Sequence, residues 1–176
     1  RDYLRNRKIN DYTINEFSLG YAPDSWDILT NHMTRMGHKL EDLVELGLVA
    51  RSQNGRYYDV YRNRLIFPIY NIRDRIIGFG GRTLANDRAK YINSPESEVY
   101  HKGSQLYGLN LIHKENNRDR IILVEGYMDV IGLRQSGFKN TVAALGTALT
   151  DQQVKLASRY AKEVYLSYDS DSAGIK

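Results

Sequence analysis

Ile121-Ile122-Leu123-Val124-Glu125-Gly126-Tyr127-Met128-Asp129-Val130 is an apolar, β-rich run that stops at a carboxylate, followed by a glycine and a helix-forming stretch. Val164-Tyr165-Leu166-Ser167-Tyr168-Asp169-Ser170-Asp171-Ser172-Ala173-Gly174 repeats the design, strand first and acid after. Between them the pattern alternates. Ile121–Val124 reads as a strand, Tyr127–Gln135 as a helix and Thr141–Ala144 as a second strand. Thr150-Asp151-Gln152-Gln153 opens a helix with a capping box, with Val154, Ala157 and Ala161 along it, and Val164–Tyr168 reads as a third strand. Strands alternating with helices predict a parallel sheet with right-handed crossovers. Ligands of such sheets bind beyond the carboxyl ends of the strands, where Glu125 and Asp169 both fall.

If those ends are neighbours, Glu125, Asp169 and Asp171 surround one point. Three carboxylates there repel one another unless a divalent cation lies between them. Hard oxygen donors favour Mg²⁺ or Mn²⁺ over zinc, and such an ion suits phosphoryl-transfer chemistry. Asp129, four residues past Glu125, is either a further ligand or a favourable charge at a helix N-terminus.

The 176 residues allow one domain or two small ones, and 41% hydrophobic content supports a sizeable core. There is no cysteine, which excludes disulfides and cysteine-ligated zinc or iron–sulfur sites. His32, His38, His101 and His113 are scattered, and none reads as a metal ligand. No apolar run reaches membrane-spanning length and no signal-peptide pattern opens the chain, so a soluble, intracellular protein is expected.

The amino-terminal third predicts helices. One is capped at Asp24 or Ser25 and carries Trp26, Ile28, Leu29, His32 and Met33 to a stop at Gly37. A second bears Leu40, Leu43 and Val44 and stops at Gly47; core packing is the expected role of these apolar positions. Strand patterns follow at Tyr57–Tyr61, Leu65–Tyr70 and Arg75–Phe79, with Gly78, Gly80 and Gly81 allowing close backbone approach. Residues 85–103 read as polar loop, 104–114 as helix, and 116–119 as a polar joint between subdomains.

Net charge is +4, but residues 51–120 hold 13 Lys and Arg against 7 Asp and Glu. Arg62, Arg64, Arg82, Lys90, Asn93 and Lys102 lie in this segment, interleaved with Tyr91 and six other tyrosines. Cations alternating with planar rings suit a single-stranded nucleic acid, whose phosphates take the cations while its bases stack on the rings. A solvated basic face with core tyrosines is the plainer reading of the same residues.

Residues 121–174 resemble a toprim domain, the metal-binding fold of bacterial primases, topoisomerases and some nucleases. Glu125-Gly126-Tyr127-Met128-Asp129-Val130 is similar to the DnaG-type bacterial primases in particular. So are Arg62-Asn63-Arg64-Leu65-Ile66-Phe67-Pro68-Ile69, Ile77-Gly78-Phe79-Gly80-Gly81-Arg82, Lys90-Tyr91-Ile92-Asn93-Ser94-Pro95-Glu96 and His101-Lys102-Gly103. The resemblance implies an α/β chain. An α+β amino-terminal subdomain with a basic groove (1–117) precedes a parallel-sheet toprim domain (118–176), incomplete at its carboxyl end because the sequence stops five residues past Asp171. It implies a DNA-directed RNA polymerase that makes short RNA primers on single-stranded DNA. Glu125, Asp169 and Asp171 would be its catalytic carboxylates and, with Asp129, its ligands for Mg²⁺ or Mn²⁺. Arg62, Arg64, Arg82, Lys90, Tyr91, Asn93 and Lys102 would hold nucleic acid or nucleotide.

The implied partners are the template, ribonucleoside triphosphates, the RNA primer and, through a carboxy-terminal domain outside this sequence, the replicative helicase. The implied location is cytoplasmic, at the replication fork. Ser170 stands where the family usually has glycine. Three rivals stand beside this reading: another toprim enzyme, a dehalogenase-like phosphatase with its two aspartates after a strand, and a module that only binds single-stranded DNA or a guanine-nucleotide alarmone.

Overall fold

The computed structural model describes residues 1–87, 89–115, 119–145 and 148–168. The chain forms two compact units. The first gathers Arg1–Phe17, Ile69–Ile77 and the chain from His101 onward; the second gathers Ser18–Pro68 and Gly78–Tyr100.

The first unit is built on a three-stranded parallel sheet. β7 (Arg120–Val124) lies in the middle, with β8 (Thr141–Ala143) on one side and β9 (Glu163–Leu166) on the other. The alternation in the sequence therefore forms the expected crossovers, through α6 (Tyr127–Gln135) and α7 (Asp151–Ser158). With β7 central, right-handed crossovers to either side put α6 and α7 on opposite faces of the sheet. The packing agrees. Ile121 and Leu123 of β7 share a core with Val142, with Leu109 and Ile112 of α5 (Leu109–Ile112) and with Ala157 of α7. On α6, Tyr127, Val130, Ile131 and Arg134 are buried, the spacing of one helical face. Each apolar side chain so buried contributes about 1.5–3 kcal/mol.

Arg134 is the exception on that face. Its side chain is only 5% exposed, and its guanidinium reaches Glu16 at 3.2 Å, Glu115 at 3.0 Å and the Lys139 carbonyl. Glu16 ends α2 (Asp11–Glu16), which follows α1 (Asp2–Asn6), so this buried cation fastens the amino-terminal helices to the parallel sheet. Tyr107 extends the sheet by one antiparallel bridge to Ala143. Its ring stacks on Phe17 and meets Tyr127 edge-on at 4.7 Å.

The second unit holds most of a four-stranded sheet in the order β1 (Gly20–Ala22), β4 (Arg64–Tyr70), β5 (Ile76–Thr83), β6 (Tyr91–Asn93). β4 and β5 are joined by a turn in which the Asn71 side chain accepts from Arg73 N–H and Arg75 N–H. β6 was expected as loop: three residues among polar neighbours carry too little pattern to read as a strand, yet they pair with Gly80, Gly81 and Arg82. A second hairpin, β2 (Val49–Arg51) with β3 (Tyr57–Asp59), packs with α3 (Ile28–Arg35) and α4 (Leu40–Glu45).

α3 departs from expectation in two ways. It begins after Asp27, not Asp24 or Ser25, and no residue on it is buried; Trp26, just ahead of it, is 65% exposed. Its amino terminus is satisfied from far along the chain. The buried Asp59 carboxylate accepts from Leu29 N–H at 2.7 Å, Thr30 N–H at 2.9 Å and the Thr30 hydroxyl at 2.6 Å. The helix expected over 104–114 contracts to α5, preceded by a 3₁₀ turn at Lys102–Ser104. Among the described residues no helix is long and apolar enough to cross a membrane.

Candidate functional site

The carboxyl edge of the parallel sheet carries the first set of candidate residues. Chain leaving β7 goes to α6 on one face and chain leaving β8 goes to α7 on the other, the topological switch at which ligands of such sheets bind. Glu125 follows β7 there and is exposed. Gly126 caps α6, and its N–H donates to the Asp129 carboxylate at 3.1 Å. Asp129 thus closes the first turn of α6, next to Glu125. At the end of β9, burial raises the Tyr168 hydroxyl above the usual tyrosine pKa, and the Glu125 charge raises it further. This puts Tyr168 within electrostatic reach of Glu125. Asp169 and Asp171 lie outside the described residues. Among the described residues no group of three His, Cys, Asp or Glu side chains is placed to hold a metal.

Lys102 belongs to the same unit. Its 3₁₀ turn is bonded to the first turn of α7: Thr150 Oγ1 donates to the Gly103 carbonyl at 2.5 Å, and Gln153 Nε2 donates to the carbonyls of Lys102 at 3.1 Å and Gln105 at 3.0 Å. α7 starts where the chain has left the carboxyl end of β8. The Lys102 turn is therefore held at the edge that bears Glu125.

The other candidates lie in the second unit. The register pairs Arg82 with Tyr91 and Gly80 with Asn93, so Arg82, Tyr91 and Asn93 share one face of the sheet. Arg82 Nη1 donates to the Tyr91 hydroxyl at 2.6 Å, with its guanidinium carbon 5.2 Å from the ring centre. All three are half-buried, and Lys90, just before Tyr91, is exposed. Cation and ring are thus presented together, a pairing suited to phosphate and base.

Arg64 is placed differently. Its side chain is 8% exposed and donates to Asp87 at 3.2 Å and to the carbonyls of Gly81 and Ala89. Burial lowers its pKa below the usual arginine value, while Asp87 opposes that shift. Arg64 thus braces the loop that delivers Lys90 and Tyr91. Arg62 lies 4.1 Å over the Trp26 ring and 5.3 Å over Tyr58, and its Nη1 donates to the Asp59 carbonyl. Asp24, Val60, Arg62, Asn63, Arg64, Ala85 and Asp87 border a hollow of about 260 Å³. Trp26, Asp59, Gln153 and Tyr168 were not singled out as functional from sequence. Gln153 read only as half of a capping box, and nothing local signals that it reaches fifty residues back.

A parallel α/β unit whose central strand ends in Glu-Gly defines the class, and residues 119–176 match the toprim domain model. Residues 1–113 match the model described as DNA primase catalytic core, N-terminal domain, and the chain belongs to the DnaG-type bacterial DNA primase family, within its catalytic core. It is 49% identical over 174 residues to the DNA primase of Clostridium acetobutylicum, an alignment covering 99% of this chain and 29% of that protein. The E. coli primase catalytic core superposes with a TM-score of 0.91 at 43% identity, covering 99% of this chain and 56% of that one. A DnaG primase catalytic domain bound to ssDNA superposes at 0.89 with 42% identity, again covering 99% and 56%. The chain thus spans under a third of the Clostridium relative and just over half of these solved cores.

Proposed function

We propose that this chain is part of the catalytic core of a DNA-directed RNA polymerase that lays short RNA primers on single-stranded DNA. The observation that carries the reading is the superposition of nearly the whole chain on a primase domain bound to ssDNA. Residues 1–117 form the amino-terminal subdomain and 118–176 the toprim domain. Glu125, Asp169 and Asp171 would hold Mg²⁺ or Mn²⁺, with Asp129 as a further ligand that also fixes the start of α6 next to Glu125. The chemistry of the donor set fits that ion: carboxylate oxygens, and no cysteine anywhere in the chain. When bound, the metal lowers the pKa of the attacking 3′-hydroxyl and neutralises charge on the α-phosphate.

Arg82, Lys90, Tyr91 and Asn93 receive the strand, and Arg62 contributes charge from the Trp26 stack. Arg64 supports the loop from beneath, and Lys102 meets a phosphate of template or triphosphate at the sheet edge. Ribonucleoside triphosphates, the primer, a guanine-nucleotide alarmone and a helicase that engages other parts of a longer protein are the partners this reading entails. Its place is the cytoplasmic replication fork.

The test measures two things on one preparation: oligonucleotide binding across salt, and template-dependent ribonucleotide incorporation with Mg²⁺ or Mn²⁺. Binding that weakens steeply with salt, and weakens further in Arg82→Ala, supports the reading. Incorporation separates polymerase from pure binding module. Salt-independent binding, or none, contradicts the nucleic-acid assignment.

A further inference from the structure

We infer that Gln153 is a positioning residue for Lys102, setting how strongly this edge of the molecule grips a phosphate. The inference rests on the nucleic-acid reading above. Gln153 is fully buried, and a buried amide costs free energy unless its donors and acceptor are met. Here the donors are met on the lysine turn and the acceptor at the start of the residue's own helix. Nε2 donates to the carbonyls of Lys102 and Gln105, while Oε1 accepts from Thr150 N–H at 3.1 Å. Thr150 completes the clamp with its hydroxyl on the Gly103 carbonyl and accepts from Gln153 N–H at 3.1 Å. The Lys102–Ser104 turn is one 3₁₀ turn long; the Ser104 hydroxyl donates to the His101 carbonyl at 2.9 Å, and the turn has no N-terminal side-chain cap. A turn this short has little internal stability, so its orientation is set by what holds its carbonyls.

A capping box needs Gln153 only for its own helix start. The two extra bonds carry the clamp across to a separate stretch of chain and fix the backbone from which the half-buried Lys102 side chain starts. By topology that point lies at the carboxyl edge, the edge of Glu125 and Tyr168. A cation fixed there compensates an anionic ligand brought to the carboxylates. A cation on a loose turn would do so at a conformational cost.

The test is a double-mutant cycle on this chain, read by fluorescence anisotropy of a short fluorescein-labelled oligodeoxythymidylate. Lys102→Ala is expected to weaken binding roughly threefold and to flatten the salt slope by about one. Gln153→Met, which keeps length and volume, is expected to reproduce most of that loss. In the Lys102→Ala background it should cause no further change. Gln153→Leu repeats the test with a different shape. Gln153 variants that bind with unchanged affinity and slope, or whose loss adds in full to that of Lys102→Ala, overturn the inference while leaving the nucleic-acid reading intact. Outright unfolding of both Gln153 variants also overturns it, because the residue would then hold the core and not the lysine. No binding by the wild-type chain overturns this inference and the reading beneath it together.

Discussion

Asp59 shows how one side chain organises a surface. Its carboxylate takes the amino terminus of α3, thirty residues back, while its own carbonyl takes the guanidinium of Arg62, which in turn covers Trp26. Asp59→Ala leaves the Leu29 and Thr30 donors without that partner and is expected to cost about 3 kcal/mol, read from urea unfolding. Tyr107 is the opposite case. Its ring is packed on Phe17 and Tyr127, but its hydroxyl is buried with no hydrogen-bond partner among the described residues. Tyr107→Phe removes only that hydroxyl, so stability should stay within about 0.5 kcal/mol of wild type or rise. A large loss in the same unfolding experiment would show that the hydroxyl is satisfied after all. Neither role was legible in the sequence. Local rules place a cap within a few residues of a helix start, and here the capping group arrives from a strand in another part of the chain.

At the scale of elements, what could be read was what repeats. The β7–α6–β8–α7–β9 alternation, the bounds of α6 and the Thr150–Gln153 capping box were all expected, because period and caps are local signals. β6 was missed because it is short, and α3 was expected to be buried because its apolar spacing matches that of a core helix. The site was legible in part for the same reason. Glu125 could be placed at a strand end from the pattern alone, and the structure puts it there, whereas the turn of Lys102 is fixed by α7, about fifty residues on. Close packing of one strand gives a further test. An added Cβ at Gly81 of β5 would lie 2.6 Å from the Tyr61 ring and 3.2 Å from Arg64. Tyr61 is itself buried, with its hydroxyl on the Phe79 carbonyl. Gly81→Ala is expected to destabilise the sheet by about 1–3 kcal/mol, seen as a lower melting temperature, and to weaken oligonucleotide binding through the neighbouring Arg82. An unchanged melting temperature would mean that Tyr61 gives way at no cost.

For the whole molecule, the chain is rich in tyrosine, and burial keeps several of those hydroxyls neutral. Tyr61, Tyr100, Tyr107 and Tyr168 all have pKa values raised above the usual 10.0, burial being the largest cause in each. In the unfolded chain these groups lose their protons near pH 10, before the folded ones do. The unfolded state then binds fewer protons, so stability is whole below that pH and falls as pH rises through the folded values. From neutral pH upward, unfolding midpoints should therefore be flat to about pH 10 and fall beyond it. A flat profile to higher pH would mean that the tyrosines ionise as freely in the fold as out of it. The functional account turns on one edge of one sheet, and the most direct test of it is metal binding. Mn²⁺ is titrated into the chain and the free-ion electron paramagnetic resonance signal is followed, for wild type and for Glu125→Gln. The account predicts saturable uptake by wild type, weakened at least about tenfold in the variant, with the melting temperature unchanged. Equal uptake by both proteins, or none by wild type, would contradict it.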